Sequence, residues 1–220
     1  MEAKDRKTGR KAQAPQTRKD AEFFENFNDV EFIEKKFHEY MARYKFQKTE
    51  RLMMRKALDF ARLAHNGQKR DEGTPYITHP IRVANILMDE VSSMKSEMIC
   101  AALLHDVIED CNITMKELKN NFNDVIAHMV KLLTKDPSIE NHKRVYYENI
   151  MHASDQVRLL KVCDRLDNLR SLRFNSNKAK MRRYISETEK KYVSMAEVTN
   201  NYLFRELKQE LTVIKSRIRK

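Results

Sequence analysis

The sequence predicts an all-α fold, a single helical bundle, on three observations. Only three Gly and four Pro occur in 220 residues, too few turn residues for a many-stranded β architecture. Met, Leu, Lys, Arg and Glu, all good helix formers, are plentiful. Apolar side chains recur at helical spacing in segment after segment. With 41% hydrophobic residues the chain can bury one real core. One short β-hairpin is allowed for in the loop at 67–79.

Residues 1–20 hold seven Lys or Arg against three acids and show no apolar period, which predicts a disordered basic arm. Over 21–48, Phe23, Phe27, Val30, Phe37, Tyr40 and Tyr44 recur near helical spacing and predict an N-terminal helical extension. The main domain is expected over 49–205. It opens on an amphipathic helix at 51–66, with Met54, Ala57, Leu58, Ala61 and Ala64 inward and Asn66-Gly67 as its stop. Gly73, Thr74 and Pro75 punctuate the loop at 67–79. Pro80 suits the first position of the next helix, which carries Ala84, Leu87, Met88 and Val91. A buried helix follows at about 96–109. Thr114 and Glu117 form a capping box for a short helix. Ile126, Met129, Val130 and Leu133 mark another, broken by Asp136-Pro137. A helix at 139–152 precedes a long one capped by Ser154 and running to Ser171, with Leu159, Val162, Cys163 and Leu166 inward. Met181, Ile185, Thr188, Tyr192, Met195 and Thr199 predict a further helix over 178–204. Residues 206–220 are expected to be a basic C-terminal tail.

The net charge of +11 favours polyanionic partners such as nucleotides, nucleic acid or anionic membrane. No 18-residue apolar run exists, so a membrane span is not expected. The N-terminus lacks an apolar core, so no secretory leader is expected. Cys100, Cys111 and Cys163 form no CxxC pair and are odd in number. That disfavours a disulfide framework or a Cys-rich zinc site, and fits a reducing, cytoplasmic setting. The basic arm leaves nucleic acid open as a partner, and a homo-oligomer stays open as well.

Chemistry concentrates in Ala101-Ala102-Leu103-Leu104-His105-Asp106-Val107-Ile108-Glu109-Asp110. An apolar, helix-forming run ends in one imidazole and three carboxylates. In a continuous helix His105 would stack on Glu109, and Asp106 on Asp110. Such close carboxylates repel one another and call for a cation if they are buried. The competing reading is a helix end with solvated acids. Two more segments bear on the choice: His79 lies just before Pro80, and Asp164 lies beside the apolar stripe of the long helix. Two His and two Asp from three helices could make an N₂O₂ shell, which suits Mn²⁺, Fe²⁺ or Mg²⁺ better than a closed structural zinc site.

His105-Asp106 within Ala-Leu-Leu-His-Asp-Val-Ile-Glu-Asp resembles the HD signature. Three further segments resemble motifs of the hydrolase domain of RelA/SpoT-type proteins and their small stand-alone alarmone hydrolase relatives. These are Ala64-His65-Asn66-Gly67-Gln68-Lys69-Arg70, Gly73-Thr74-Pro75-Tyr76-Ile77-Thr78-His79-Pro80 and Lys161-Val162-Cys163-Asp164-Arg165-Leu166-Asp167-Asn168-Leu169-Arg170-Ser171-Leu172. The match covers roughly 51–175, and motifs of the family's synthetase domain are not found. The resemblance implies an HD phosphohydrolase in which His79, His105, Asp106 and Asp164 hold one Mn²⁺, with Fe²⁺ or Mg²⁺ as lesser choices. It implies that Glu109 and Asp110 activate and place the water. It puts Arg70 beside the guanine with Phe174 as the opposite wall, and Tyr76, Asn168 and Ser171 along the nucleotide pocket.

The implied reaction is hydrolysis of the 3′-diphosphate of a guanosine polyphosphate to GDP or GTP and pyrophosphate. The same ligand set would serve another phosphate ester, such as the 2′-phosphate of NADPH or a nucleoside monophosphate. A non-catalytic nucleotide-sensing or nucleic-acid-binding module is the third alternative, carried by charge alone. Lys178, Lys180, Arg182 and Arg183 fit a solvated helix face better than a phosphate site. Asp71 and Glu72 depart from the family pattern and would repel a polyphosphate. Asp167 stands where relatives often have His or Tyr, and Cys163 where Ala is common.

Overall fold

A computed structural model describes residues 26–93 and 95–219. Among these residues there is no strand, and the architecture is an all-α bundle. The basic arm at 1–20 and Phe23 lie outside the described residues. Helix α1 (Val30–Arg43) starts at Asp29, whose carboxylate accepts from the Phe32 amide, and buries Ile33, Phe37 and Met41 at four-residue intervals. It packs on α3 (Thr78–Asn85), so the extension expected at 21–48 is, where described, laid against the main bundle.

Helix α2 (Lys48–Ala64) opens on a Gln47/Glu50 capping box and buries the expected Met54, Ala57, Leu58 and Ala61. Gly67 then takes φ +76°, a conformation that favours glycine. The hairpin allowed for at 67–79 is reduced to one antiparallel bridge, Lys69 to Pro75. Two hydrogen bonds, Arg70 N to Thr74 O and Tyr76 N to Gln68 O, close the loop. Helix α3 begins at Thr78, so Pro80 is its third residue rather than its first. Its missing N–H still falls in the first turn, where no helical acceptor is lost. A wide π turn, Ile86–Glu90, extends α3.

Helix α4 (Ser96–Leu104) is buried on nearly all sides, as its apolar sequence demands. The helix expected to run on to 109 breaks at His105-Asp106 and restarts as one turn, α5 (Val107–Asp110). Helices α6 (Met115–Asn121), capped by Thr114 and Glu117, and α7 (Asp124–Leu133), capped by Asn123, follow the predicted pattern. Helix α8 (His142–His152) starts three residues later than expected. Helix α9 (Asp155–Leu172) is the central element and packs on α3, α4, α7 and α8.

The single helix predicted over 178–204 is three pieces: α10 (Lys178–Glu187), a π turn at Thr188–Tyr192, and α11 (Val193–Thr199). Extended backbone at Asn200 separates it from α12 (Asn201–Arg219). The tail expected at 206–220 is, through residue 219, the body of α12. Leu207, Leu211 and Ile214 recur at helical spacing and bury themselves, α12 lies along α9, and Glu210 is buried with them, bound by Arg173.

Candidate active site

Four side chains meet where α3, α4 and α9 converge. His79 comes from the first turn of α3, His105 and Asp106 from the break after α4, and Asp164 from the middle of α9. His79 Nε2 lies 3.2 Å from His105 Nε2, 3.2 Å from Asp164 Oδ1 and 3.5 Å from Asp106 Oδ2. His105 Nε2 lies 3.2 Å from Asp106 Oδ2 and 3.7 Å from Asp164 Oδ1. Donor atoms of His79, His105 and Asp164 all fall within 4.8 Å of one another.

The hydrogen bonds on the far side of each ring decide what this cluster needs. His105 Nδ1 sits 2.7 Å from the Ala102 carbonyl, and His79 Nδ1 sits 2.6 Å from Asp167 Oδ2. Both partners can only accept, so both imidazoles carry their proton on Nδ1. Two bare Nε2 lone pairs and two carboxylate oxygens then point at one another. Tyr76 OH reaches Asp106 Oδ2 and Asn168 Nδ2 reaches Asp164 Oδ1 from outside, but the two buried Nε2 atoms face each other and two carboxylates with no donor of their own, a grouping that a cation satisfies. The same pull for positive charge acts on His105: burial disfavours its charge, yet Asp106 and Asp164 outweigh it and push its pKa up to about 10, so a proton on Nε2 and a cation compete for one place. Burial also opposes ionisation of Asp106 and Asp164. His105 and then His79 hold the Asp106 carboxyl well below the ordinary range, and Lys161, followed by the two histidines, does so for Asp164. Two imidazoles and two carboxylates with orienting partners fit a divalent transition cation.

Asp164 divides its oxygens. Oδ1 faces the histidines, while Oδ2 accepts from Lys161 Nζ at 2.6 Å. Tyr76 OH lies 2.7 Å from Asp106 Oδ2 and 2.8 Å from Asp110 Oδ2, so its one proton is shared by two carboxylates. Burial, followed by those two charges, keeps the phenol protonated. Asp110 is raised, first by burial and then by the Asp106 charge.

Glu109 and Asp110, neighbours in α5, both line the cleft above the cluster, a space of about 680 Å³, and the break after α4 separates their turn from the helix that ends before His105. The four-residue stacking of His105 on Glu109 expected from a continuous helix is not kept. Glu109 turns to Lys135, meeting its Nζ at 2.7 Å and its backbone N–H at 3.1 Å. Arg183, Lys190 and Lys191 line the opposite wall of the cleft.

A second compartment of about 190 Å³ adjoins this cleft and shares Arg70, Tyr76, Asn168 and Tyr184 with it. Arg70 Nη2 donates to Asn168 Oδ1 at 2.9 Å and to Ser171 Oγ at 3.3 Å, and its guanidinium lies 5.6 Å from the Tyr76 ring centre. Asn168 in turn donates to the Asp164 carbonyl. His65 stacks on Tyr76, ring centres 4.6 Å apart, and supports it from behind. Of the expected substrate-side residues, Arg70, Tyr76, Asn168 and Ser171 come together. Phe174 does not. It follows the last turn of α9, is 1% exposed, and lies 6.3 Å from the Phe27 ring in the core, because the chain turns inward after Leu172. The expected repulsion from Asp71 and Glu72 is offset locally: Asp71 is bound by Lys180 and Asn175, and Glu72 lies 3.7 Å from Arg70 Nε. Lys180 and Arg183 line the two spaces, against the expectation of a wholly solvated face.

The family model described as HD domain matches residues 57–198, a span that contains all four converging side chains. The chain belongs to the HD-domain family. Among curated proteins, this HD domain is 43% identical over 119 residues to the guanosine-3′,5′-bis(diphosphate) 3′-pyrophosphohydrolase of Danio rerio, covering 52% of this chain and 66% of that protein. The Homo sapiens protein of the same name is 40% identical over 129 residues, covering 56% and 72%. A solved structure described as a metazoan ortholog of SpoT that hydrolyses ppGpp aligns at TM-score 0.67 and 28% identity, over 79% of this chain and 98% of that one.

Several residues of the HD domain's site were not assigned a role from sequence. Lys161 stands three residues before Asp164 on one helix, so helical spacing alone could have found it. Arg165 is held between Tyr184 and Tyr192, its guanidinium 4.3 and 3.7 Å from their ring centres. Asp167 was noted only as a departure, yet it holds His79. Nothing local signals these last two, because their partners lie far along the chain.

Proposed function

We propose that this HD domain is a divalent-metal-dependent 3′-pyrophosphohydrolase of guanosine polyphosphates, converting ppGpp or pppGpp to GDP or GTP and pyrophosphate. The observation that carries the metal-dependent part is the convergence of two imidazole Nε2 atoms, each bonded through Nδ1 to an acceptor behind it, with an oxygen each of Asp106 and Asp164. The similarity to proteins named for this reaction supports the substrate. His79, His105, Asp106 and Asp164 would hold the cation, with Mn²⁺ preferred for the mixed nitrogen and oxygen set and Fe²⁺ or Mg²⁺ after it. When bound, the cation supplies Lewis acidity, withdrawing charge from a phosphoryl oxygen and acidifying a water near neutral pH.

The chain's own residues supply the rest. A water oxygen bonds to the phosphorus attached to the ribose 3′ oxygen, that P–O bond breaks, and the 3′ oxygen takes a proton. Asp110, its carboxyl raised by burial and the Asp106 charge, and Glu109, held by Lys135, together activate and place the water. Arg70, clamped by Asn168 and Ser171, offers a fixed plane for the guanine. Arg183, Lys190 and Lys191 face the phosphates across the cleft. The three cysteines are all free, which suits the reducing cytoplasm as the setting.

The test is incubation of purified protein with ppGpp and Mn²⁺, with and without chelator, followed by product analysis. Chelator-sensitive release of pyrophosphate and GDP is expected. No release from ppGpp, alongside turnover of NADPH or a nucleoside monophosphate, would replace the substrate while keeping the metal centre.

A further inference from the structure

One buried chain of contacts leads from the metal cluster to the N-terminal segment. Asp167 is fully buried on α9, one turn beyond Asp164, and faces α3. Its Oδ2 accepts from His79 Nδ1 at 2.6 Å. Arg82 grips the same carboxylate with two donors, Nε to Oδ1 at 2.7 Å and Nη2 to Oδ2 at 3.1 Å. The guanidinium is closed off by Phe27, whose ring centre lies 3.8 Å away and whose carbonyl accepts from Nη1 at 2.9 Å. Arg82 Nη2 also reaches Ser171 Oγ at 3.3 Å, beside the Arg70 clamp.

From this geometry we infer that Asp167 is a positioning residue for the metal centre, fixing His79 in the tautomer that presents a bare Nε2, and that Arg82 and Phe27 brace it. The inference rests on the metal-centre reading above. Its physical basis is that a carboxylate can only accept, so it forces the proton onto Nδ1 and fixes the ring plane. Such partners of a ligating histidine typically change metal affinity by about 10–100-fold. A buried guanidinium needs a counter-charge, so the Arg82–Asp167 pair holds itself in place. The N-terminal segment thereby becomes part of the support of the metal site, although it contributes no ligand.

Asparagine and alanine at position 167 separate this role from simple packing. In Asp167→Asn the amide oxygen satisfies Arg82, which turns the NH₂ group toward His79. Nδ1 must then accept, and the proton moves to Nε2, where a cation would bind. In Asp167→Ala a water can take the Nδ1 proton and the tautomer survives. The experiment is Mn²⁺ titration of the chelator-stripped full chain by calorimetry, with ¹H–¹⁵N spectra of the imidazoles to read the tautomer. Asp167→Asn is expected to bind Mn²⁺ about 10–100-fold more weakly than the unsubstituted chain and to show an Nε2–H signal for His79. Asp167→Ala is expected to lose less and to keep Nδ1–H. If alanine alone leaves Arg82 too costly to bury, the double substitution Arg82→Met with Asp167→Ala takes its place in the comparison. Equal Mn²⁺ affinity in Asp167→Asn, or a greater loss in the alanine variant than in the asparagine one, overturns the inference. Failure of the unsubstituted chain to bind Mn²⁺ overturns the metal-centre reading instead.

Discussion

The two adjoining spaces of the site are built on opposite principles. At the metal end three of the four converging side chains are sealed, His79 at 1% exposure, His105 at 2% and Asp164 at 5%, and Asp106 opens only on the cleft. Each is tied to a partner that dictates its proton or its angle. In the nucleotide compartment the outer charges stay partly open, with the Asp71 side chain 51% exposed and Lys180 33%. Only the Arg70, Asn168 and Ser171 clamp is tightly held there. Chemistry that depends on a fixed cation tolerates no play, because buried charges without partners are costly. Recognition of a base and a solvated phosphate tail can be spread over weaker, screened contacts. The contrast teaches that reaction type lies in the sealed half, and substrate choice in the open one.

Substitutions graded across the two halves test that contrast. The largest effect is expected from Asp106→Ala, which removes a ligand and the Tyr76 acceptor together. Turnover of ppGpp should fall by about 10³-fold or more, equivalent to several kcal/mol, and Mn²⁺ binding by calorimetry should collapse with it. Normal Mn²⁺ affinity in that variant would break the assignment of the cluster. Glu109→Gln should retain Mn²⁺ but lose about 10²-fold in kcat, the lower end of a general acid–base contribution. Full activity would show that Glu109 serves only Lys135. Arg70→Ala should raise KM for ppGpp about 10-fold while Mn²⁺ affinity holds, since it removes charge-assisted contacts on the open side alone. Asp71→Asn should be the mildest, within about 3-fold in kcat/KM, because its partner Lys180 is only partly buried and such pairs contribute about 0–1 kcal/mol. A larger loss there would move Asp71 into the recognition of substrate and blur the division.

What was legible in the sequence follows the same division. His105-Asp106 stood out because an apolar helix ended abruptly in charge, and the four proposed ligands rest on motifs that geometry then brought together. The helical pattern itself was read from spacing, down to the Gly67 stop and the Thr114 cap. The partners of those ligands were not legible: Asp167 meets His79 across 88 positions, and Arg70 meets Asn168 across 98. No local period encodes such pairings. Phe174 misled because an aromatic beside a nucleotide motif fits a stacking wall as well as a core, and only burial chooses. The unbroken helix assumed through His105 failed for a related reason. Nothing in Leu104-His105-Asp106-Val107 breaks a helix by propensity, yet the helix stops at Leu104 and resumes at the buried Val107.

The wide turn at Thr188–Tyr192 has a consequence for how the cleft wall is phased. Each residue of a regular helix advances about 100° around the axis, and a π turn absorbs one surplus residue without severing the rod. Deleting a single residue there would rewind the coil to ordinary pitch. Everything upstream, Arg183 and Tyr184 included, would swing about a quarter-revolution relative to α11. Tyr184 and Tyr192 would then no longer enclose Arg165 between them. The surplus residue works as a phase shifter, letting one face of the rod serve the cleft while the next stays keyed to the core.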